Sequence, residues 1–166
     1  MHDVLQQESG HCSATAVGPH TLLTAQHCRL DSNDLIVDGD AKPTKILSET
    51  SDGNDHILLI VDKTFSQFAP INQRKLIHGE EVHEWGNPLD EKDVYRVGTF
   101  DKQEVEWRTG LMMPLDQYIL PVFPGDSGSA IFDKNGQIVG VVTASHGARE
   151  FSLPLAFTAE QLKNIK

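Results

Sequence analysis

The chain has 166 residues, a length that suits one domain or two small lobes packed against each other. Hydrophobic residues make up 39% of it and aromatic residues 7%, and no apolar run reaches about 18 residues, so the composition predicts a globular protein without a membrane span. Acidic residues outnumber basic ones by 24 to 14, and the formal net charge of −10 disfavours nucleic acid as a partner, since phosphate backbones would be repelled.

The first residues, MHDVLQQE, lack the basic and apolar segments of a secretory signal. Two locations therefore stay open. The chain either remains where it is made, as a cytoplasmic, viral or phage protein, or is secreted after a leader has been removed.

Short apolar runs separated by Gly, Pro, Asn and Asp dominate the chain, a pattern typical of many short strands. In the first half, strands are predicted over residues 12–17, 21–25, 35–37, 42–47 and 56–61. Gly18, Pro19 and His20 separate the first two of these runs, which predicts a hairpin. A polar stretch over residues 64–79 marks the boundary between the two halves.

The second half continues the same pattern and ends in a helix. Strands are predicted over residues 81–85, 94–100, 105–113, 118–122, 130–132 and 137–143. The sequence DKNG between the last two is a strong hairpin turn. Residues 159–165 form the one convincing helix, with Thr158 as its N-cap. We therefore predict an all-β sandwich or barrel with a short C-terminal helix.

Three stretches supply the parts of a nucleophilic catalyst. His27 lies in TAQHC, directly after a predicted strand, and Asp55 lies in NDHILL, directly before one. Ser127 lies in PGDSGS, where flanking glycines allow the backbone N–H groups to converge and leave room for a substrate chain. A serine hydroxyl needs a nearby base, and the base needs a carboxylate to hold its tautomer.

These stretches, in this order, resemble the histidine, aspartate and serine boxes of trypsin/chymotrypsin-like serine proteases. EEVHEWGNP, SGSAIFDKNGQIVGVVTAS and SLPLAFTAEQLKNI are similar to segments of the compact bacterial and viral members, so the likeness extends loosely over residues 11–165. The resemblance implies two six-stranded antiparallel Greek-key β-barrels with a short C-terminal helix. An N-terminal lobe over residues 1–75 and a C-terminal lobe over residues 76–166 would together form one protease domain.

The resemblance also implies a role for each site residue. Ser127 would be the nucleophile, His27 the general base and Asp55 the group that orients His27. The backbone N–H groups of Gly125 and Ser127 would form the oxyanion hole, and Asp126 would lie buried beneath the loop. In zymogen-activated relatives that aspartate pairs with a newly cut N-terminus. The first residues here show no activation site, so we expect the loop to be held in another way or to be permanently formed.

A protein or peptide is the expected substrate, and no metal or cofactor is required. The resemblance places the pocket for the residue before the scissile bond at Leu120, Val122, Phe123, Thr143, Ala144 and Ser145. None of these is acidic, which disfavours Lys or Arg substrates. Relatives that prefer Glu or Gln place a histidine where this chain has Val142, although His146 is near enough in sequence to reach the rim. We expect a small or medium apolar residue.

Cys12 and Cys28 allow several interpretations. Together with His11 and His27 they resemble a zinc set, but neighbouring residues of a strand point to opposite faces and could hardly converge. The family resemblance favours a disulfide, whereas a reducing compartment would leave two packed thiols. His56, beside Asp55, is expected on the outer face of a strand.

Two other functions compete with a protease. One is a catalytically silent binding module on the protease fold, against which the intact set of His27, Asp55 and Ser127 argues. The other is an esterase that uses the same acyl-transfer chemistry. The natural substrate, the oligomeric state and the need for an activating partner stay open.

Overall fold

A computed structural model of the chain describes residues 2–7, 10–29, 32–37, 40–86, 94–108, 111–121, 123–146 and 148–166. Its first six strands are β1 (His2–Gln7), β2 (Gly10–Gly18), β3 (Thr21–Ala25), β4 (Asp34–Val37), β5 (Thr44–Ser51) and β6 (His56–Val61). They close into a barrel in the order β1-β2-β3-β6-β5-β4, with every neighbouring pair antiparallel.

The remaining strands form a second antiparallel sheet. They are β7 (Glu81–Gly86), β8 (Val94–Arg108), β9 (Leu111–Ile119), β10 (Ala130–Phe132), β11 (Ile138–Val141), β12 (Ala144–His146) and β13 (Arg149–Ser152). Their order is β11-β10-β7-β8-β9-β13-β12. The all-β fold of two curled antiparallel sheets with one short helix is therefore confirmed.

The second sheet has seven strands in the described residues, where six were expected, because one stretch of chain is interrupted. β11 and β12 follow each other in sequence and form the two ends of the sheet. Between them, Val142 leaves the sheet pattern: its N–H donates to Ser129 O at 2.9 Å, and its carbonyl accepts from Gly128 N at 2.9 Å. This break lays the chain beside the segment that contains Ser127.

Alternating side chains of β3 and β6 build two cores. Leu22 and Leu59 pack inside the first barrel, while Leu23 and Leu58 point the other way. The second pair joins a cluster with residues of the other sheet, including Phe132. Strands buried on both faces read as continuous apolar runs, as TLLTA and HILLI do. The same two strands therefore fix the residues next to their ends, which include His27 after β3 and Asp55 before β6.

Further sequence-based expectations differ from the structure. The strand predicted over residues 105–113 is divided, because β8 runs to Arg108 and β9 begins at Leu111. The strands β1, β12 and β13 were not predicted. His56 was expected on an outer face, but its side chain is fully buried and bonded to Asp52.

The C-terminal helix α1 (Ala159–Lys163) begins as predicted and ends two residues earlier than expected. Thr158 Oγ1 accepts from Gln161 N at 3.1 Å, and Gln161 Oε1 accepts from Thr158 N at 2.8 Å, so both residues cap the helix start reciprocally. In the described part of the chain, no helix has the length and hydrophobicity needed to cross a bilayer.

A disulfide between Cys12 and Cys28 joins β2 to the 3₁₀ turn Gln26–Cys28 that carries His27. The two cysteines are 16 residues apart, so the bond closes a short loop around the β2–β3 hairpin. It limits the freedom of the unfolded chain and fixes the turn against the barrel.

We predict that the double variant Cys12→Ser/Cys28→Ser is destabilised by about 3 kcal/mol, because the unfolded chain regains the entropy that the disulfide removes. Urea unfolding followed by circular dichroism measures this change. The parent in excess reductant should match the variant, and reductant should not affect the variant. Equal unfolding midpoints for oxidised parent and variant would contradict a stabilising disulfide.

Candidate active site

His27 and Asp55 meet at one edge of the first barrel. β3 and β6 are paired so that Ala25 lies opposite His56, which brings the residues just beyond these strand ends together. His27 Nδ1 lies 2.7 Å from Asp55 Oδ2, and His27 N donates to Asp55 Oδ1 at 2.8 Å. Gln26 N donates to the Asp55 carbonyl at 2.7 Å. An ionised carboxylate only accepts, so Nδ1 is the donor and Nε2 is left as the basic nitrogen of a neutral ring.

The contact changes the proton affinity of both groups. The hydrogen bond to Asp55 raises the pKa of His27 above 6.5, and partial burial only partly offsets this effect. Burial disfavours the ionised form of Asp55, but the bonds from the side chain and backbone of His27 outweigh it and lower the pKa of that carboxyl. The His27 side chain is 45% exposed and that of Asp55 18%, so the histidine faces solvent while its carboxylate is shielded.

The segment around Ser127 is docked onto the first barrel. Ser13 N donates to Ser127 O at 2.8 Å, and Ser13 Oγ donates to Gly125 O at 2.9 Å. Gly128 has a φ of +86°, and a Cβ there would lie 2.2 Å from Ser13 O, so only glycine permits this close approach. Residues 125–128, which we call the serine loop, are thus held by the barrel that carries His27.

An internal arginine holds the serine loop from below. Arg96 Nη1 and Nη2 each lie 2.7 Å from an oxygen of Asp126, whose side chain is fully buried. Asp126 Oδ2 also accepts from Phe123 N at 2.9 Å, and Arg96 Nη1 donates to Pro121 O at 2.6 Å. The sequence predicts a loop that is held without a cut N-terminus or is permanently formed, but it does not point to Arg96, which lies 30 residues from its partner.

Two further buried carboxylates surround this ion pair. Oxygens of Glu84, Asp126 and Glu150 lie within 4.8 Å of one another, and Arg96 Nη2 lies 3.2 Å from Glu84 Oε1. Burial raises the pKa of Glu84 to about 7, and burial together with the Glu84 charge raises the pKa of Glu150 well above its usual range. One guanidinium cannot neutralise three carboxylates, so this buried cluster favours the protonated forms of Glu84 and Glu150. A cation placed among these oxygens would be repelled by Arg96.

The residues predicted to contact the substrate fall into three groups. Phe123 is 46% exposed, and Thr143 and Ala144 are half-buried, so these three lie near the surface. Leu120 is fully buried in the core of the second sheet, and its contact with substrate stays a prediction. Val122 and the side chains of Ser145 and His146 lie outside the described residues.

Comparison with known proteins agrees with this architecture. The family of trypsin-like peptidase domains matches residues 12–141, which is more than half of the chain. The chain belongs to the trypsin-like peptidase family. A comparison with curated protein sequences gives no match.

Solved structures of proteases share the fold at low sequence identity. The active form of the Rv3671c protease from M. tuberculosis matches with a TM-score of 0.80 and 20% identity, over 99% of this chain and 79% of its own. A Glu endopeptidase matches with a TM-score of 0.72 and 21% identity, over 98% of this chain and 86% of its own. The HRV-C 3C protein with rupintrivir matches with a TM-score of 0.67 and 20% identity, over 93% of this chain and 90% of its own. The chain therefore has a chymotrypsin-like double barrel, and as a peptidase its substrate is a peptide.

We predict that Glu84→Gln makes the protein less sensitive to rising pH. In the parent, the folded state holds a proton on Glu84 that the unfolded state releases near pH 4.5, so stability falls as the pH rises from about 4.5 to 7. Each unit by which the pKa of Glu84 in the folded state exceeds that in the unfolded state corresponds to about 1.4 kcal/mol of unfolding free energy. Glutamine stays neutral, so this part of the decline should disappear.

Urea unfolding between pH 5 and about 8 measures the difference between parent and variant, in which the contributions of titrating groups distant from Glu84 cancel. Glu160→Gln, the same substitution on an exposed helix residue, is the matched control. Parallel stability curves for parent and Glu84→Gln would show that Glu84 is ionised throughout.

Proposed function

We propose that this peptidase is a serine endopeptidase, with Ser127 as nucleophile, His27 as general base and Asp55 as the residue that orients His27. The observation that carries the proposal is the bond of 2.7 Å between His27 and Asp55 at the barrel edge onto which the serine loop is docked. The site would lie between an N-terminal lobe of residues 1–75 and a C-terminal lobe of residues 76–166.

The chemistry would proceed in two acyl-transfer steps. His27 Nε2 takes the proton of the Ser127 hydroxyl as Oγ attacks the peptide carbonyl, and it then delivers that proton to the departing amine. The resulting acyl-enzyme is hydrolysed when His27 activates a water in the same way. Asp55 remains ionised, holds the tautomer and stabilises the imidazolium, roles that suit a carboxyl with a lowered pKa.

The oxyanion of each tetrahedral intermediate would be bound by the backbone N–H groups of Gly125 and Ser127. Such donors stabilise charge only if they are fixed before the reaction. Two contacts support this requirement: the hydrogen bonds from Ser13 on one side of the loop, and the ion pair of Asp126 with Arg96 beneath it.

A small or medium apolar residue before the scissile bond is the proposed preference. Phe123 and Ala144 offer apolar surface near the serine loop. Val142, where Glu- or Gln-specific relatives place a histidine, is a fully buried aliphatic residue. The net charge of −10 supports a protein or peptide partner and not a nucleic acid.

We predict that the parent cleaves a diverse peptide library, whereas Ser127→Ala does not. Mass spectrometry of the cut ends measures cleavage and reads the preferred residues. Ser66→Ala, which changes an exposed serine in the segment between β6 and β7, should cleave as the parent does. A serine-directed phosphonate should label the parent and the Ser66→Ala variant but not Ser127→Ala. If the parent neither cleaves nor becomes labelled, the proposal fails, and a binding module or an enzyme that needs a partner to assemble its site is favoured instead.

We also predict that kcat/KM rises with pH through a midpoint above 6.5, because His27 must be neutral to act as a base and its pKa is raised by Asp55. Asp55→Asn should lower kcat by a factor on the order of 10⁴ at neutral pH, because the amide favours the wrong tautomer. Initial rates on the best library peptide between pH 5 and about 9 measure both effects. A flat profile across this range would exclude His27 as the base.

A further inference from the structure

A second pair of histidine and aspartate lies next to the first, and the proposed mechanism does not use it. His56 Nδ1 donates to Asp52 Oδ2 at 2.6 Å, and neither side chain is exposed. His56 directly follows Asp55 in the sequence, but it points into the protein, whereas Asp55 contacts the exposed ring of His27. A fully buried charged group is costly unless several donors satisfy it, so the surroundings of Asp52 are informative.

Asp52 accepts four hydrogen bonds. Its Oδ1 accepts from Asn54 N at 2.8 Å and from His56 N at 3.2 Å. Its Oδ2 accepts from the His56 ring and from Ala156 N at 2.9 Å. Burial opposes ionisation, but the bonds from His56, Asn54 and Ala156 prevail and lower the pKa of Asp52. Asp52 N also donates to His56 O at 3.2 Å, so this one residue closes the whole turn of residues 52–56.

The turn held by Asp52 contains a strained residue. Asp55 has a φ of +67°, the only positive value among non-glycine residues in the described part of the chain. The left-handed region is unfavourable for an L-residue, so it persists only where surrounding contacts impose it. This conformation allows the Asp55 carboxylate to face His27 while its own carbonyl accepts from Gln26 N.

The same turn is fastened to the other half of the chain. Ala156, which donates to Asp52, belongs to the extended segment that follows β13, and Asn54 Nδ2 donates to Pro154 O at 3.0 Å in that segment. The ring of Phe157 lies 6.4 Å from the ring of His56 and is buried in the core shared by both sheets. The turn that presents Asp55 lies between β5 and β6 of the first barrel and is also bonded to the C-terminal half of the chain.

We propose that His56 and Asp52 form a positioning pair, which holds the strained turn in the conformation that aims Asp55 at His27 and fastens that turn to the C-terminal half. The pair contacts neither substrate nor the reacting atoms. It acts through Asp55, and the inference rests on the proposed function only where cleavage is the readout. Its direct consequence is a well-aligned bond between His27 and Asp55.

The decisive measurement is the pKa of His27 by NMR in the Ser127→Ala background, because it needs no cleavage. His27→Gln assigns the signal. In His56→Leu the donor to Asp52 is lost, the turn relaxes, and the pKa of His27 should fall towards 6.5. His56→Asn, whose Nδ2 occupies nearly the position of the ring Nδ1, should restore most of the shift. His20→Leu removes another half-buried, hydrogen-bonded histidine and should leave it unchanged.

In the active protein, His56→Leu should lower kcat between about 10- and 100-fold with little change in KM, since only the alignment of the catalytic groups is disturbed. Asp52→Asn keeps the shape of the side chain but replaces one acceptor oxygen with an NH2 donor. This variant is used if His56→Leu does not fold. An unchanged His27 pKa in a folded His56→Leu or Asp52→Asn protein would overturn the proposal. If the pKa falls but the parent never cleaves, the positioning pair stands and the proposed protease function fails.

Discussion

The buried ion pair of Arg96 and Asp126 is the interaction on which the rest of the site depends. It lies beneath the serine loop with Asp126 fully buried and Arg96 largely buried, and removing one partner of such a pair typically costs about 3–5 kcal/mol. Glu84 and Glu150 add acidic groups to the same space, and the positive charge of Arg96 partly offsets the repulsion among the three carboxyl groups. The geometry of the loop and the protonation of the glutamates are therefore set together.

The site combines one rigid element with one that is held by polar contacts. His27 follows β3 and Asp55 precedes β6. Both strands pack into two cores, which fix the backbone next to the two residues. The serine loop is held by Ser13 on one side and by Arg96 on the other.

Sequence reasoning reached those parts of the protein whose signals are local. Thr158 and the residues after it predicted a helix start, and short motifs led to His27 and Asp55, which the structure brings into contact. Arg96 could not be found in this way, because its partners are distant in sequence and meet it only through the strand register. His56 was misplaced for a related reason: a polar residue at a strand start suggests exposure unless its buried acceptor is known.

β1 was not predicted because its sequence, HDVLQQ, is mostly polar, yet it lies between β2 and β4 and completes the first barrel. Sheet edges offer unpaired N–H and C=O groups to other chains, and a closed barrel has none. If β1 were displaced, β2 and β4 would both become such edges. This polar strand thus protects the first barrel from edge-to-edge association. Backbone pairing matters more for that role than side-chain hydrophobicity does.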